Sequence, residues 1–471
     1  MENEKQLGLF SLVSLIVGAI IGSGIFSLPQ NMAQGAGAGA MLIAWGITFV
    51  GMFALSQTFQ WLSTNAPEIE DGLYGYAKHG FGEYLGFNAA WGYWVSVWIG
   101  NAGYLVVMFS ALGAFPMFSI FGNGTTPAAI VCEIAILWML HLMVLQGVRS
   151  AALINTLVTV AKIVPLGLFI LCVVLAFNVH TFNRDFWGTP ALGSVMEQVK
   201  STMLFTVWVF LGIESAAIYA SRAKKMADVG RATLIGFALT MVLLVCVSVL
   251  SLGVIPQSEL AHMKNPSMAW VLARVLGPVG ADIINISLIV AVGGALLAWT
   301  MLGGEMLYLA SRGDDNTIPA IFGHVNDNGA PTHAMTLTNV AITVMLILTY
   351  FNENGYNALV QLSTSMALIP YLLCAGFGLR LSNQMPSASF MARMLNLVAV
   401  CYGLWLIYAA GLKYLMLSMV LYAPGLLFFA RAKLARSDKL FDNSFESGVC
   451  MLIVVLGILA GALVFAGGLS L

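Results

Sequence analysis

The amino-acid sequence predicts an all-α membrane protein that crosses the bilayer many times. Of its 471 residues, 59% are hydrophobic and only 9% are charged, whereas soluble domains carry roughly 25% charged residues. A helix needs roughly 20 apolar residues to cross a bilayer, and about thirteen runs of the chain are long enough. Two of these runs are interrupted near their middle by glycine and polar residues, which predicts two discontinuous helices.

The apolar runs follow one another along the whole chain, with only loop-sized polar stretches between them. They cover residues 9–34, 39–63, 85–116, 126–146, 151–177, 196–220, 230–255, 278–311, 333–351, 356–381, 393–410, 412–432 and 446–469. The first run is too long for the core of a signal peptide, so we expect it to be retained. If the last run lies at the membrane interface instead of spanning, the count is twelve.

Lysine and arginine predict the orientation, because positive residues collect on the cytoplasmic side of membrane proteins. With the amino terminus placed inside, fourteen of the 20 basic residues fall on the cytoplasmic side, five fall on the other side, and Lys162 lies within a span. The sequence therefore predicts a cytoplasmic amino terminus and, with thirteen spans, an external carboxyl terminus.

Composition excludes several classes of function. The six cysteines lie in apolar runs and form no Cys-x-x-Cys pair, so we expect neither a disulfide framework nor a metal site. The net charge is -1, whereas proteins that bind nucleic acid carry clusters of positive residues, so we expect no nucleic-acid binding. Enzyme motifs such as His-Glu-x-x-His and Gly-x-Ser-x-Gly are absent from the sequence, so we expect no catalytic residue, no enzyme activity and no cofactor.

The first interruption reads GAIIGSGIF and covers residues 18–26. Unpaired backbone groups are so costly in lipid that a broken helix persists only where protein or a water-filled cavity covers it. Small residues at four-residue spacing, here Gly18 and Gly22, also form ordinary helix-packing faces. On this stretch alone, helix packing and an unwound binding site are equal alternatives.

A second interruption, in the sixth run, favours the binding site. There Gly212 and Ser215 flank Glu214 near mid-membrane. Broken helices at corresponding positions of two halves are typical of inverted-repeat transporters that hold substrate at the midplane. Amino-terminal ends of half-helices attract a carboxylate, and carbonyl-bearing ends attract an ammonium. Together the two interruptions predict a site for the zwitterionic head of an amino acid.

Several motifs, taken in order, resemble the amino acid/polyamine/organocation superfamily. They read VGAIIGSGIFSLPQNMA, WGYWVSVWIGNAGYLVV, FTVWVFLGIESAAIYASRAKKMADVGRAT, GGALLAWTML and STSMALIPYLLC. The resemblance runs from about Leu7 to the carboxyl terminus. Within the superfamily the chain resembles the basic amino acid/polyamine antiporters, particularly the arginine/ornithine antiporters, and it is also similar to the arginine/agmatine exchanger.

The resemblance implies a 5+5 inverted-repeat (LeuT-like) transporter core with discontinuous first and sixth helices, within a total of 12–13 transmembrane helices. Residues 1–177 would form the first repeat with helices 1–5, residues 178–381 the second with helices 6–10, and residues 382–471 the peripheral helices 11–13. The thirteenth span departs from the twelve-helix arginine/agmatine exchanger and fits the arginine/ornithine branch better.

The resemblance also implies an activity. A secondary active antiporter would exchange a cationic amino acid of the arginine/ornithine type for a related amine or amino acid by alternating access. Lysine/cadaverine, ornithine/putrescine and histidine/histamine exchange remain open, as does proton-coupled amino acid symport, which Lys162 would permit. The partners expected are the amino acid, its counter-substrate and the lipid bilayer of the cell inner membrane, without nucleic acid; a homodimer is compatible with this reading.

Ten residues match substrate-binding positions of the superfamily. They are Ile20, Ser23, Gly24, Ser96, Val97, Asn101, Trp208, Leu211, Trp299 and Ser363. We expect the carboxylate near the amides of Ser23 and Gly24, and the ammonium near the carbonyls of Ile20 and Trp208. A long cationic side chain would lie against Trp299, because aromatic faces attract cations.

Four further residues are implied in gating or proton coupling. Glu214, Tyr93 and Tyr371 match a pH-sensitive outer gate of the arginine/agmatine exchanger, and Lys162 stands where sodium-coupled relatives hold sodium. The matching lysine of sodium-independent relatives implies that Lys162 is an ammonium that ties the first and fifth helices, without a sodium requirement. The arginine/agmatine exchanger differs here, because it has an apolar residue at this position. The alternatives are a packing acid for Glu214 and a snorkelling side chain for Lys162; whether either group titrates is open.

Overall fold

A computed structural model describes the chain apart from residues 1–8, 10–12, 14–16, 19, 70, 147–150, 215–225, 314, 352–354 and 470–471, and apart from the side chains of 151–161 and 226–230. Helices and connecting turns make up the described residues, which include no β-strand. The predicted all-α class is therefore confirmed.

The described helices divide into long apolar helices and short connecting ones. In chain order they are α1 (Gly24–Ala33), α2 (Ala38–Asn65), α3 (Gly72–Phe81), α4 (Glu83–Gly113), α5 (Pro127–Leu145), α6 (Ala151–Leu175), α7 (Val179–Asn183), α8 (Val195–Trp208), α9 (Met226–Leu250), α10 (Gln257–Leu260), α11 (Ser267–Leu276), α12 (Pro278–Ala310), α13 (Thr332–Thr349), α14 (Gly355–Gln384), α15 (Phe390–Tyr422), α16 (Gly425–Ala435) and α17 (Ser444–Phe465).

Within the described part of the chain, nine helical stretches are long and apolar enough to cross a membrane. They are Ala38–Asn65, Glu83–Gly113, Pro127–Leu145, Arg231–Gly253, Pro278–Ala310, Thr332–Thr349, Gly355–Gln384, Phe390–Ala435 and Ser444–Phe465. This set shows a multi-pass membrane protein, but it does not confirm the predicted count of about thirteen spans.

Four features explain the difference in count. The predicted run 151–177 has described side chains only from Lys162, and Lys162–Leu175 is shorter than a membrane span. The predicted runs 393–410 and 412–432 fall within a single member of that set, Phe390–Ala435, although the non-helical Gly411, with φ of 75° and ψ of 168°, separates two helical segments there. The first predicted run extends into residues outside the described part. The sixth run is interrupted after Trp208, where α8 ends.

One compact unit comprises Met1–Gln60, Val107–Thr126 and Ser150–Ala295. Every residue of α1 is buried, because α8, α9 and α11 pack around it. Hydrogen bonds between side chains also join helices of this unit: Thr48 Oγ1 donates to Thr206 Oγ1 at 2.8 Å. Since protein surrounds α1, non-helical backbone is tolerated at its start even at membrane depth.

The other compact unit comprises Trp61–Val106, Pro127–Arg149 and Leu296–Leu471. In it α14 packs against α15 and α3, α15 against α17, and α13 against α5. Two tryptophans of α4 donate across helices, Trp91 Nε1 to Leu421 O at 2.9 Å and Trp94 Nε1 to Thr338 Oγ1 at 2.9 Å. These contacts position the part of α4 that carries four of the predicted site residues.

A buried carboxylate ties the start of α17 to the start of α4. Glu446 is 0% exposed, and its Oε1 accepts a hydrogen bond from Tyr84 N at 3.1 Å while Oε2 accepts one from Asp442 N at 3.1 Å. The first amides of a helix have no acceptor within the helix. One side chain of α17 therefore satisfies a donor at the start of α4 and another just before its own helix.

Several basic residues of the loops predicted to face the cytoplasm are paired with acids. Lys433 Nζ lies 2.8 Å from Glu83 Oε2, and Lys78 forms an ion pair with Asp315. Partial burial raises the pKa of the Asp315 carboxyl, but the hydrogen bond and the charge of Lys78 outweigh this effect and the pKa lies below its usual value. The pairs tie the start of α4 to α16 and the end of α3 to the loop after α12.

Candidate functional site

The first membrane helix is interrupted immediately before α1. Ile21 and Gly22 are non-helical and Ser23 forms a turn, and Gly22 N donates to Ile20 O at 2.9 Å. The Ser23 side chain does not cap α1. Within the described part, neither Ser23 Oγ nor Ser27 Oγ has a hydrogen-bond partner, although both are buried. The start of α1 thus combines two unsatisfied hydroxyls with helix-terminal amides, a setting that favours an anion.

The sixth membrane helix is interrupted after Trp208. Residues 209–214 form turns, and Gly212 has φ of 100°, in the left-handed region where glycine alone carries no steric cost. The amide of Gly212 donates to Glu214 Oε2 at 3.2 Å, and Glu214 is buried. Both interruptions predicted from the sequence are therefore present.

The two interruptions touch each other at Gly24 and Trp208. A methyl group added to Gly24 would lie 2.6 Å from Trp208 Nε1 and 2.9 Å from Val209 Cγ1. Trp208 is itself buried, so its ring has little room to withdraw. The sequence places the expected carboxylate near the amide of Gly24; the structure adds a steric reason for glycine at this position, the close approach of the indole.

The carbonyl groups expected to receive the ammonium flank the two interruptions. Ile20 O accepts a hydrogen bond from Gly22 N at 2.9 Å, and Trp208 O accepts one from Leu211 N at 3.2 Å. A carbonyl oxygen has two lone pairs, so Ile20 O can accept a second hydrogen bond. The predicted substrate residues of this unit are all buried: Ile20, Ser23, Gly24, Trp208 and Leu211.

Lys162 lies beside the first interruption. It belongs to α6 and is 5% exposed, and its Nζ donates to Gly18 O at 3.3 Å. Gly18 lies in the helical residues just before the interruption. A buried ammonium thus contacts the backbone of the first membrane helix close to the point where that helix unwinds.

In the other compact unit, α4, α12 and α14 bring the remaining substrate residues together. Ser363 Oγ donates to Ser96 O at 2.6 Å, and Asn101 Nδ2 donates to Thr300 Oγ1 at 3.2 Å. Trp299, the neighbour of Thr300 on α12, is partly buried. Polar groups of the predicted side chains therefore link all three helices.

Val97, Tyr93 and Tyr371 complete the predicted set in this unit. Val97 packs against α12, since a methyl group added to Gly303 would lie 3.1 Å from its Cγ1. Tyr93 and Tyr371 are buried on α4 and α14. Glu214, the third residue of the implied outer gate, belongs to the first compact unit, so the three-residue gate stays a prediction.

Comparison with known proteins decides the family. The model of the amino acid permease family matches residues 7–456 of this chain. The chain belongs to the amino acid permease family. The arginine/ornithine antiporter of Pseudomonas aeruginosa is 48% identical over 482 residues, covering 99% of this chain and 98% of that protein. The arginine/agmatine antiporter of Chlamydia caviae is 39% identical over 474 residues, covering 98% and 96%.

The family confirms the resemblance drawn from the motifs and, with it, the LeuT-like fold class with a discontinuous first and sixth helix. Permeases move their substrates across a membrane without chemical change. This permease is accordingly a transporter and not an enzyme.

Sequence reasoning missed two polar residues of the permease that lie beside the predicted ones. Ser27 stands on α1 four residues after Ser23, which directly precedes that helix with helical φ and ψ, so the two side chains lie on the same side. Thr300 directly follows Trp299, and its hydroxyl donates to Leu296 O at 2.7 Å, which is an ordinary role for threonine within a helix. The spacing could have revealed Ser27, whereas only the contact with Asn101 distinguishes Thr300.

Proposed function

We propose that this permease is a secondary active antiporter that exchanges arginine for ornithine or a related amine. The observation that carries the proposal is the meeting of two interrupted helices at Gly24 and Trp208, in a chain whose relatives are named arginine/ornithine and arginine/agmatine antiporters. The protein would reside in the cell inner membrane with its amino terminus in the cytoplasm, as its lysine and arginine distribution indicates.

Residues of the first compact unit are assigned to the common head of the amino acid. The carboxylate would accept hydrogen bonds at the start of α1, from backbone amides and from the hydroxyls of Ser23 and Ser27, whose Oγ atoms have no partner within the described chain. The ammonium would lie near Ile20 O and Trp208 O. This division matches the two ends of the half-helices to the two charges of a zwitterion.

Residues of the second compact unit are assigned to the cationic side chain. The partly buried face of Trp299 supplies cation-π attraction, and Asn101, with Ser96, Val97 and Ser363, supplies polar and apolar contacts. Tyr93, Tyr371 and Glu214 would close the site toward the outside. Transport follows if the substrate binds the outward-facing and inward-facing states with different affinity, because only differential binding shifts their populations.

Counterflow in proteoliposomes tests the exchange mode. Purified protein should take up labelled arginine when ornithine or unlabelled arginine is inside, and empty vesicles should show only background uptake. Uptake into empty vesicles driven by a pH gradient would instead support proton-coupled symport and contradict exchange. Loading vesicles with cadaverine, putrescine or histamine discriminates the remaining substrate pairs.

Glu214→Ala is expected to flatten the pH dependence of exchange while leaving some substrate binding. The substitution removes the carboxylate that accepts from the Gly212 amide at 3.2 Å, in the segment where the sixth helix unwinds. Initial exchange rates across mildly acidic and neutral pH provide the measurement. Glu214→Gln retains an acceptor for that amide but cannot ionise, so it separates the charge from the hydrogen bond.

The matched control is Asp282→Ala, which removes an exposed carboxylate at the start of α12 and should leave the pH profile unchanged. A Glu214→Ala profile parallel to that of the parent protein would contradict the gating role.

Contact with lipid and self-association are the remaining parts of the proposal. The most exposed apolar side chains, among them Val131 at 67%, Leu175 at 78% and Phe465 at 95%, would lie against acyl chains. A homodimer is proposed from the resemblance alone, and light scattering of the purified protein in detergent would measure its mass.

A further inference from the structure

The side-chain amide of Asn101 has a defined orientation. Asn101 is 0% exposed, and its Nδ2 donates to Thr300 Oγ1 at 3.2 Å. Its Oδ1 has no hydrogen-bond partner among the residues that the structure describes. A buried polar atom without a partner calls for a physical explanation, such as a ligand or an ordered water molecule.

Thr300 enforces this orientation through the single proton of its hydroxyl. Thr300 Oγ1 donates that proton to Leu296 O at 2.7 Å, so toward Asn101 it can act only as an acceptor. If the amide of Asn101 turned over, its carbonyl oxygen would face a hydroxyl oxygen that has no proton left to donate. The turned amide would therefore either face a second acceptor or require the hydroxyl to give up its hydrogen bond to Leu296 O.

We propose that Thr300 is a positioning residue for substrate selectivity, because it fixes the Asn101 amide so that only a hydrogen-bond acceptor is offered to the substrate side chain. The inference rests on the proposed function and deepens it. Guanidinium and ammonium groups carry donors and no acceptor, so Asn101 Oδ1 suits both. In a neutral ureido group a carbonyl oxygen replaces one guanidinium nitrogen, so this group has fewer hydrogen-bond donors for Asn101 Oδ1 and no positive charge.

The decisive measurement is the ratio of arginine exchange to citrulline exchange in proteoliposomes. Thr300→Val removes the acceptor at nearly constant volume and lets the amide turn over, so we expect the ratio to fall about tenfold, the scale of one hydrogen bond to a charged group. Thr300→Ser retains the hydroxyl and should preserve the ratio. Thr300→Ala removes the same acceptor and replaces the valine variant if that variant is not recovered as folded protein.

Thr343→Val provides a matched control. Thr343 Oγ1 accepts from Trp138 Nε1 at 3.1 Å and donates to Asn339 O at 2.8 Å, so the same substitution removes the same kind of hydrogen bond between α5 and α13. It should leave the arginine-to-citrulline ratio at the parental value.

The outcomes separate this inference from the proposed function. A parental ratio in Thr300→Val, an equal loss of both substrates, or a serine variant that behaves like valine would each overturn the role of Thr300 while arginine exchange by the parent protein stands. If the parent protein exchanges no arginine, the proposed function fails and this inference fails with it.

Discussion

Gly24→Ala is expected to reduce arginine exchange about ten- to a hundredfold, because overpacking of this size costs about 1–3 kcal/mol. The added methyl group would lie 2.6 Å from Trp208 Nε1 and 2.7 Å from Trp208 Cδ1. The indole or the start of α1 must move, and either movement displaces the amides and carbonyls assigned to the amino acid head. Initial rates of counterflow, normalised to the amount of folded protein in the vesicles, measure the effect.

Gly46→Ala is the control for this substitution. Gly46 lies on α2, and a methyl group there would meet nothing within 4 Å, so exchange should stay at the parental level. Combining Gly24→Ala with Trp208→Phe, which shortens the opposing ring, should restore part of the lost activity. Full activity of Gly24→Ala alone would show that the two interruptions do not need their close contact.

Lys162→Met is expected to abolish exchange or to reduce it by at least about tenfold, because a hydrogen bond to a charged group is worth about 1.5–3 kcal/mol. The substitution removes the ammonium that donates to Gly18 O at 3.3 Å and leaves that carbonyl without this donor beside the first interruption. The same counterflow assay provides the rate, and measuring it with and without a pH gradient shows whether proton coupling changes as well.

Lys413→Met makes the same substitution at an exposed lysine and should leave the rate unchanged. Lys162→Arg retains a fixed positive charge that does not titrate at accessible pH. Substantial exchange by the arginine variant would indicate that Lys162 acts as a fixed charge; loss of exchange in both variants would favour a titrating ammonium or a strict steric demand. Parental exchange by Lys162→Met would contradict the assigned role.

The positions of the two interruptions could be predicted from the sequence. Gly22 directly precedes Ser23, and Gly212 lies two residues before Glu214, each pair within an apolar run. Glycine and polar residues at corresponding points of two runs are typical of helices that are broken where protein or water covers the backbone. The contact between Gly24 and Trp208 could not be predicted in this way. It depends on how α1 and α8 pack, and a glycine carries no pattern that identifies its neighbour.

The separation of the runs 393–410 and 412–432 could also be predicted from hydropathy, and the structure places the non-helical Gly411 between them. The role of Thr300, in contrast, was hidden, because its hydroxyl donates to its own helix and only its accepting side reaches Asn101. Residue type indicates which groups can form hydrogen bonds, whereas packing determines which of their lone pairs remain available.

The Glu446 contact bears on how modular this transporter is. The last apolar helix can be regarded as an accessory, added at the periphery of a core that would work without it. However, its carboxylate satisfies the Tyr84 amide, at the beginning of the helix that carries Ser96 and Asn101. Deleting α17 would leave that amide without this acceptor at the start of α4, so we expect loss of the last helix to disturb the position of the residues that we assign to the substrate side chain.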